Sequence, residues 1–294
     1  MKTIQEMLSN ASALLRKNGV QEPELDAMVL LSDAMGCAAA GIFMKKNVFL
    51  PGRIEKKFRK YLSDRALRRP LPYITGSKEF MGLEFRVAEG VFIPRQETEI
   101  LVEKVIGLAG PTGRPLILDA GTGSGNIAVS VAISVPGARI VAVDLSRVAA
   151  GLAKKNALRH GVDKRIRFFV SDMLADNFAP APQGTHFDII VSNPPYIAGH
   201  EFSSLQEEIH FEPRESLDGG ADGLRYYRKL KDIGLLYLKP GGYLCVEVGW
   251  GQAAAVRKIF KGRCSRFFTV EKTIMDYSGI ERVVVAKKNG QGYN

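Results

Sequence analysis

The regular alternation of strand-like and helix-like segments after about residue 97 is the feature that most constrains the fold. Short apolar runs predict strands, and stretches with helical spacing of apolar residues separate most of them. Such alternation is typical of a doubly wound α/β fold, in which helices cover both faces of a parallel sheet. The predicted strands are 116–119, 139–144, 166–170, 187–191, 243–248, 267–271 and 282–286, and the predicted helices include 127–135, 147–160, 224–236 and 252–260.

The connection between the last two predicted strands is shorter than the others. Residues 273–280 alone separate them, whereas a crossover between parallel strands needs about a dozen residues or more. We therefore expect a mostly parallel, seven-stranded sheet that ends in an antiparallel C-terminal hairpin. This ending argues against a dinucleotide dehydrogenase, whose sheet stays parallel, and favours the methyltransferase variant of the fold.

The first 75 or so residues are helical in pattern and predict a small helical bundle. Thr3-Ile4-Gln5-Glu6 has the spacing of a capping box and predicts a helix that ends at Asn18-Gly19. Pro23 suits the first turn of a second helix that Gly36 ends, and a third helix is predicted over 53–68. The predicted buried face of the second helix consists of Leu25, Met28, Val29 and Met35, widened by Leu31 and interrupted by Ser32.

A short linker is predicted between the helical part and the α/β part. Pro70 and Pro72 interrupt the helical pattern, and two short strands at 83–87 and 91–93 flank Glu89-Gly90. A turn pair between two apolar runs predicts a β-hairpin. The predicted division is a helical domain over 1–75, a hairpin linker over 76–96 and an α/β domain over 97–294.

Composition and charge exclude several classes of protein. The chain has 41 Lys+Arg against 31 Asp+Glu, a net charge of +10. The charge fits an anionic partner such as RNA, or an enzyme that is merely basic. No apolar stretch approaches the roughly 20 residues of a membrane span, so no membrane association is expected. Cys37, Cys245 and Cys264 are odd in number and far apart, so a disulfide framework is not expected and a reducing cytoplasm fits best. The four histidines lack the spacing of metal ligands, so a metal site is not expected either.

A glycine-rich turn follows the predicted strand 116–119 and opens the next helix. Glycine lets a backbone approach a ligand closely, and a helix N-terminus exposes unpaired N–H groups. We therefore expect a ligand-binding turn, although a tight turn that binds nothing is the alternative. The predicted binding residues of the turn are Gly121, Thr122, Gly123, Ser124 and Gly125.

Two acidic residues indicate the kind of ligand. Asp144 ends the next predicted strand, where a carboxylate can hold ribose hydroxyls. Asp119 precedes the glycines, whose spacing is not G-x-G-x-x-G, and its charge would repel a pyrophosphate but favour a cation. S-adenosylmethionine carries a sulfonium next to its ribose and fits both. Asp172 and Met173 follow the third strand and are expected at the adenine, unless Asp172 merely caps a turn.

Asn193-Pro194-Pro195-Tyr196 directly follows the predicted strand 187–191. Proline fixes φ and lacks an N–H group, so this loop is rigid and offers acceptors. The Asn193 side-chain oxygen and the Pro194 carbonyl would each accept a hydrogen from a target –NH2 group, and Tyr196 would pack against its plane. The alternative is an ordinary turn. The loop is expected at the same end of the sheet as the glycine turn, which makes it a predicted catalytic and substrate-binding site, with Pro195 included.

Taken together, these motifs resemble those of the family of protein-(glutamine-N5) methyltransferases that modify peptide chain release factors. The resemblance covers nearly the whole chain. Gln96 stands where the family usually has proline, and Ala120 where a larger apolar residue is common; neither touches the inferred chemistry. The matching segments are RRPLPYITG (68–76), FIPRQETE (92–99), DAGTGSG (119–125), NPPY (193–196), EPR (212–214) and DGGADGL (218–224).

The resemblance implies a glutamine in the Gly-Gly-Gln loop of class 1 release factors as the methyl acceptor. It also implies S-adenosylmethionine as donor with S-adenosylhomocysteine as product, a helical domain that helps to dock the release factor, and a monomeric cytoplasmic enzyme. The segment 212–223 is either part of a substrate channel or a plain surface loop. By resemblance, the donor would be held by Gly121–Gly125, Asp144, Met173 and Asn193, and the glutamine by Asn193, Pro194, Pro195 and Tyr196.

Two other functions are compatible with the same residues. An amino methyltransferase acting on adenine or cytosine would also clamp an –NH2 group, but it must flip its base and grip the strand. The sequence shows no added target-recognition domain, so no stable nucleic-acid partner is expected. A methyltransferase-like binding scaffold is the third possibility, and the intact glycine turn and Asn193 loop argue against it.

Overall fold

The computed structural model of the chain describes residues 2–262 and 268–290. It divides into two compact units. The first contains the chain up to Ser77 together with Gln206–Phe211, and the second contains Lys78–Leu205 and the chain from Glu212 onward. Cys264 and the first residue of the predicted strand 267–271 lie outside the described residues. The domain boundaries predicted after residues 75 and 96 stay predictions.

The first unit contains five α-helices among its described residues, where the sequence pattern predicted three helices. The extra two are single turns, too short to show a helical period. Pro70 and Pro72 do not end helical structure but begin it, because a proline in the first turn lacks only an N–H that would be unpaired anyway. The helices are α1 (Ile4–Lys17), α2 (Pro23–Met35), α3 (Ala39–Phe43), α4 (Gly52–Ala66) and α5 (Leu71–Thr75).

The predicted helix ends are confirmed. The Glu6 amide donates to the Thr3 hydroxyl at 3.3 Å, and the Thr3 amide donates to the Glu6 carboxylate at 2.9 Å, which completes the capping box. Gly36 ends α2 with a φ of 63°, in the left-handed region that glycine adopts without strain.

The predicted buried face of α2 is confirmed in part. Leu31 is buried, and Met28 and Met35 pack against the helical core, but Leu25 is 54% exposed, and Ala27 and Leu30 are buried instead. The true face includes Asp26, which an apolar stripe cannot anticipate. A charged residue is buried only when it is paired, and the partner of Asp26 lies far along the chain.

That partner is Arg65 in α4, whose Nε donates to Asp26 at 2.6 Å. Arg65 also donates to Glu208 at 2.9 Å, and Arg68 donates to both Glu208 oxygens at 2.8 and 2.6 Å. Burial would raise the pKa of Glu208, but the hydrogen bonds from Arg68 and Arg65 prevail and hold it at about 2. Charge pairing thus joins Gln206–Phe211 to the helices of the first unit.

The hairpin lies earlier in the chain than predicted. Strands β1 (Ser77–Phe80) and β2 (Leu83–Arg86) flank Met81 and Gly82, whose φ angles are 53° and 70°. Two successive positive φ angles give the two-residue turn whose twist matches antiparallel strands. The predicted strand 91–93 is absent from this described part of the chain, because the Ile93 amide donates to the Glu212 carboxylate at 3.0 Å rather than to a strand.

The second unit contains the predicted seven-stranded sheet. Its strands are β3 (Leu116–Ala120), β4 (Arg139–Asp144), β5 (Ile166–Val170), β6 (Phe187–Ser192), β7 (Leu238–Glu247), β8 (Phe268–Met275) and β9 (Glu281–Lys288). The strand order is β5-β4-β3-β6-β7-β9-β8. Neighbouring strands from β5 through β7 are parallel, and β9 pairs antiparallel with both β7 and β8, as the short last connection indicated.

Helices cover both faces of this sheet and bury its alternate residues. They are α6 (Thr98–Ala109), α7 (Asn126–Ser134), α8 (Arg147–Arg159), α9 (Arg225–Tyr237) and α10 (Ala253–Lys261). Ile117 packs in a core with residues of α6 and α7, whereas Leu118 packs in a second core with residues of α9 and α10. None of the described helices is both long and apolar enough to cross a membrane.

Candidate active site

A cleft opens at the carboxyl ends of the parallel strands, beside β3 and β6, where the strand order changes direction. Ligands of open α/β sheets bind at such a switch point. The cleft encloses ≈ 1080 Å³, including space that is open to solvent. The predicted site residues that line it are Gly121, Thr122, Gly123, Ser124, Asp144, Asp172, Met173, Asn193, Pro194, Pro195 and Tyr196.

The glycine turn is shaped by left-handed backbone and by close packing. Gly121, Gly123 and Gly125 have φ angles of 83°, 56° and 81°, which side chains rarely allow. Gly125 does not line the cleft among the described residues. A Cβ there would lie 2.9 Å from the Cβ of Ala153 in α8, so this glycine lets α7 and α8 approach each other.

Asp144, the last residue of β4, lies beside the glycine turn and binds its backbone. Its two carboxylate oxygens accept hydrogen bonds from the Gly123 amide at 2.8 Å and the Ser146 amide at 2.9 Å. Burial raises the pKa of Asp144, while these two amides oppose the shift. Each oxygen retains a lone pair, so the carboxylate can also accept from the hydroxyls of a ligand in the cleft.

Asp119 lies beneath the turn rather than in the cleft wall. It is fully buried, and the Thr122 hydroxyl donates to it at 2.6 Å. Burial raises its pKa to about 7, with a smaller contribution from the nearby Asp144 carboxylate. Asp119 does not line the cleft among the described residues, so the predicted preference for a cation stays a prediction that requires the ionised form of Asp119.

Asp172 and Met173 occupy the next part of the wall. The Leu174 amide donates to Asp172 at 2.8 Å, so this carboxylate does cap a turn, as the alternative interpretation held. It also lines the cleft, so the two roles are compatible. Met173 is buried, and its Cε lies 3.5 Å from where a Cβ would stand on Gly121. That separation is ordinary van der Waals contact, so the methionine packs directly beside the glycine turn.

The Asn193 loop is held from several sides. Asn193 donates from Nδ2 to the Thr98 hydroxyl at 3.0 Å, and the Gln252 amide donates to the Tyr196 carbonyl at 2.8 Å. Three glycines approach Tyr196 so closely that an added Cβ would lie within 2.9 Å of its atoms. They are Gly219, Gly223 and Gly249.

The segment after Glu212 is part of the site and not a plain surface loop. The Ile197 amide donates to the Leu217 carbonyl at 2.9 Å, and the Gly219 amide donates to the Ile197 carbonyl at 2.9 Å. Leu217 and Glu215 line the cleft. Glu212 is buried and accepts hydrogen bonds from Arg95 and the Ile93 amide. The segment therefore forms one wall beside Tyr196.

Sequence reasoning assigned no role to four residues that shape the site. Thr98 and Glu247 lie behind Asn193, Gln252 supports Tyr196, and Asn156 donates to the Ser124 carbonyl at 2.8 Å. All four act through contacts with distant parts of the chain, which leave no local pattern. Two of them carried a signal in the sequence: Glu247 is an acidic residue inside the predicted strand 243–248, and Thr98 lies in the matching segment 92–99.

No group of three or more His, Cys, Asp or Glu side chains that could hold a metal ion occurs within residues 2–262 and 268–290.

Two family models match the chain. The PrmC N-terminal domain matches residues 6–76, and the methyltransferase small domain matches residues 83–222. The second match spans the glycine turn and the Asn193 loop.

Curated relatives match over nearly the full length. A release factor glutamine methyltransferase of Geobacter sulfurreducens is 40% identical over 285 residues, covering 96% of this chain and 95% of the relative. One from Moorella thermoacetica is 37% identical over 284 residues, covering 97% and 98%. A crystal structure of a methyltransferase from Pyrococcus furiosus, 16% identical, aligns with a TM-score of 0.52 over 80% of this chain and 99% of that chain. The structural match confirms the methyltransferase fold.

Proposed function

The chain belongs to the release factor glutamine methyltransferase family, and on that basis we propose that it transfers a methyl group from S-adenosylmethionine to N5 of a glutamine in class 1 release factors. The glutamine of their Gly-Gly-Gln loop is the proposed acceptor. The observation that supports this most is that the glycine turn and the Asn193 loop line a single cleft. Donor and acceptor sites are then adjacent.

The described residues fit this donor. A turn built from three glycines with positive φ presents bare backbone, and Asp144 beside it has acceptor capacity for ribose hydroxyls. Asp172 and Met173 would hold the adenine by a hydrogen bond and by packing. When bound, S-adenosylmethionine supplies an electrophilic methyl group.

The Asn193 loop fits the amide of a glutamine. Within the described residues, no hydrogen bond is made to the Asn193 Oδ1 or to the Pro194 carbonyl oxygen. Both acceptors are therefore available for the two hydrogens of an –NH2 group. Tyr196 would pack on the amide plane, with Pro195 keeping the loop rigid.

These contacts address the difficulty of the reaction. An amide nitrogen is a poor nucleophile because its lone pair is delocalised. Two acceptors that hold both hydrogens direct the nitrogen toward the methyl group and stabilise the positive charge that develops on it. The chain needs no general base, since the extra proton can leave to solvent afterwards.

The test is methyl transfer from labelled S-adenosylmethionine to purified release factor, to its Gln→Ala variant in the Gly-Gly-Gln loop, and to DNA and RNA. We expect label on the unaltered release factor alone. Label on nucleic acid but not on release factor would instead support an amino methyltransferase acting on bases. No transfer to any of them would support the scaffold.

A variant pair tests the proposed clamp. Asn193→Ala should lower kcat by roughly 10²-fold, because one preorganised polar contact is lost, and donor affinity should change less. The exposed Asn177→Ala is the matched control and should behave as the wild type. A decrease of only a few-fold for Asn193→Ala would rule out the clamp.

The resemblance adds three further proposals. The helical unit would help to dock the release factor, the enzyme would act as a monomer in the cytoplasm, and no nucleic acid would bind stably. Gel filtration, crosslinking to a release factor and a nucleic-acid binding assay test them in turn.

A further inference from the structure

A buried chain of hydrogen bonds runs from Asn193 into the protein. Asn193 donates from Nδ2 to the Thr98 hydroxyl at 3.0 Å, and that hydroxyl donates to Glu247 Oε2 at 2.6 Å. Thr98 begins α6 and Glu247 ends β7, and their exposed fractions are 1% and 2%. Neither residue lies in the glycine turn or the Asn193 loop. Their hydrogen bond joins the start of α6 to the end of β7 behind the Asn193 loop.

The direction of this chain follows from the number of hydrogens on each group. A hydroxyl has one hydrogen, and the Glu247 carboxylate can only accept. Once the Thr98 hydrogen is given to Glu247, the Thr98 oxygen can only accept from Asn193. The Asn193 amide must therefore turn its nitrogen toward Thr98, which leaves Oδ1 for a ligand.

We infer that Thr98 and Glu247 are positioning residues that fix the Asn193 amide with its oxygen available to the acceptor. This inference rests on the proposed function, because it assumes a target –NH2 group. If the Asn193 amide were rotated by half a turn, it would present its own –NH2 to the substrate –NH2. Two donors cannot form a hydrogen bond, so the rotated form lacks one arm of the clamp.

The protonation state of Glu247 determines the direction of the hydrogen bonds that run from Asn193 through Thr98 to Glu247. Burial raises the pKa of Glu247 to about 7, and the Thr98 hydroxyl opposes the shift. A protonated Glu247 can donate to Thr98, and Thr98 can then donate to Asn193 Oδ1, which reverses the chain. The ionisable groups that face Glu247 from the surrounding elements are Arg95 and Glu97 before α6, Tyr196 in the loop, Tyr227 in α9 and Arg282 in β9.

Three variants separate positioning from simple stability. Thr98→Val keeps the branched shape but removes the hydroxyl, Thr98→Ser keeps the hydroxyl, and Glu247→Gln keeps an acceptor but cannot ionise. The matched control is Thr273→Val in β8, which removes a part-buried hydroxyl that accepts from Arg257 at 2.9 Å. Donor affinity by calorimetry and the melting temperature show whether each variant is folded.

We expect Thr98→Val to lower kcat on release factor by about tenfold or more, which is less than loss of the acceptor itself. Donor affinity should stay within about twofold, since the Thr98 hydroxyl bonds to Asn193 and Glu247 and not to the glycine turn or Asp144. Thr98→Ser should retain most of the wild-type kcat, and Thr273→Val should be unaffected. Equal kcat for Thr98→Val and the wild type would overturn the inference.

The pH profile and the orientation of the amide give independent readouts. At saturating donor, wild-type kcat should fall as the pH drops below about 7, and this decrease should be smaller in Glu247→Gln; an identical decrease in both would show that Glu247 does not direct the hydrogen-bond chain. Neutron diffraction of the wild type should place the Asn193 nitrogen, not its oxygen, toward Thr98. That measurement needs no substrate, so it judges the inference even if the release factor is not methylated.

Discussion

Gln252 donates from Nε2 to the carbonyl oxygen of Tyr196 at 2.8 Å, while its own Oε1 accepts from the Gly249 amide at 3.2 Å. The side chain thus joins the end of the Asn193 loop to the turn after β7. Tyr227 adds a longer contact to the same Oε1 at 3.4 Å. The last residue of the proposed clamp is therefore positioned by side chains that lie about 30 and 55 residues further along the chain.

Replacing Gln252 should weaken the clamp without removing it. Gln252→Leu leaves the Tyr196 carbonyl and the Gly249 amide without their partner, and a lost hydrogen bond at such a site costs about 1–3 kcal/mol. We expect kcat/KM for release factor to fall about tenfold, with little change in donor affinity. Steady-state kinetics measure this, and the exposed Gln21→Leu is the control. Unchanged kinetics would show that Tyr196 is held by its glycine contacts alone.

Gly125→Ala should destabilise the second unit by forcing α7 and α8 apart. The new Cβ would lie 2.9 Å from that of Ala153, and overpacking costs about 1–3 kcal/mol in addition to the strain at a φ of 81°. Gly161→Ala has a φ of 68° but no atom within 4 Å of the new Cβ, so it shows the backbone strain alone. We expect Ala153→Gly to restore part of the loss in the double variant, as measured by urea unfolding. If Gly125→Ala and Gly161→Ala are equally destabilised, close packing is not the reason for this glycine.

Asp119 should make the stability of the protein depend on pH. Its pKa rises from 3.8 in the unfolded chain to about 7 when folded, so the folded state holds an extra proton between these values. The contribution of Asp119 to the free energy of unfolding is therefore highest at low pH, and it is lost as the pH rises toward 7. Relative to Asp119→Asn, the wild type should lose at least about 1 kcal/mol between pH 4 and 8.

Denaturant unfolding at several pH values checks this, with the exposed Asp232→Asn as the control. A difference between wild type and Asp119→Asn that stays constant with pH would contradict the raised pKa.

Arg65→Met should destabilise the helical unit strongly. Arg65 is buried between Asp26 and Glu208, and its removal leaves the buried Asp26 carboxylate without this partner, which costs about 3–5 kcal/mol, whereas Glu208 keeps its bonds from Arg68. Arg16→Met is the matched control, because the Arg16 pair with Glu24 is exposed and is worth about 1 kcal/mol at most. Thermal unfolding of the two variants should differ accordingly, and similar melting temperatures would mean that the buried pairs contribute no more than a surface pair.

The local patterns that predicted structure correctly were those with a short physical cause. The Thr3 capping box, Pro23 at the start of α2 and Gly36 at its end depend on neighbours within a few residues. The seven strands followed from apolar runs, and the antiparallel end of the sheet followed from the length of a single connection. The hairpin was misplaced because Glu89-Gly90 resembles a turn as closely as Met81-Gly82 does.

The sheet, the glycine turn and the order of the motifs can be read from the amino-acid sequence, because each arises from residues that are adjacent in the chain. The burial of Asp26 depends on the three-dimensional fold, since its partner Arg65 lies 39 positions away. The same holds behind the proposed clamp, where Thr98 precedes Asn193 by 95 positions and Glu247 by 149. Buried polar groups need partners wherever the fold brings them, and no spacing along the chain records which residues those are.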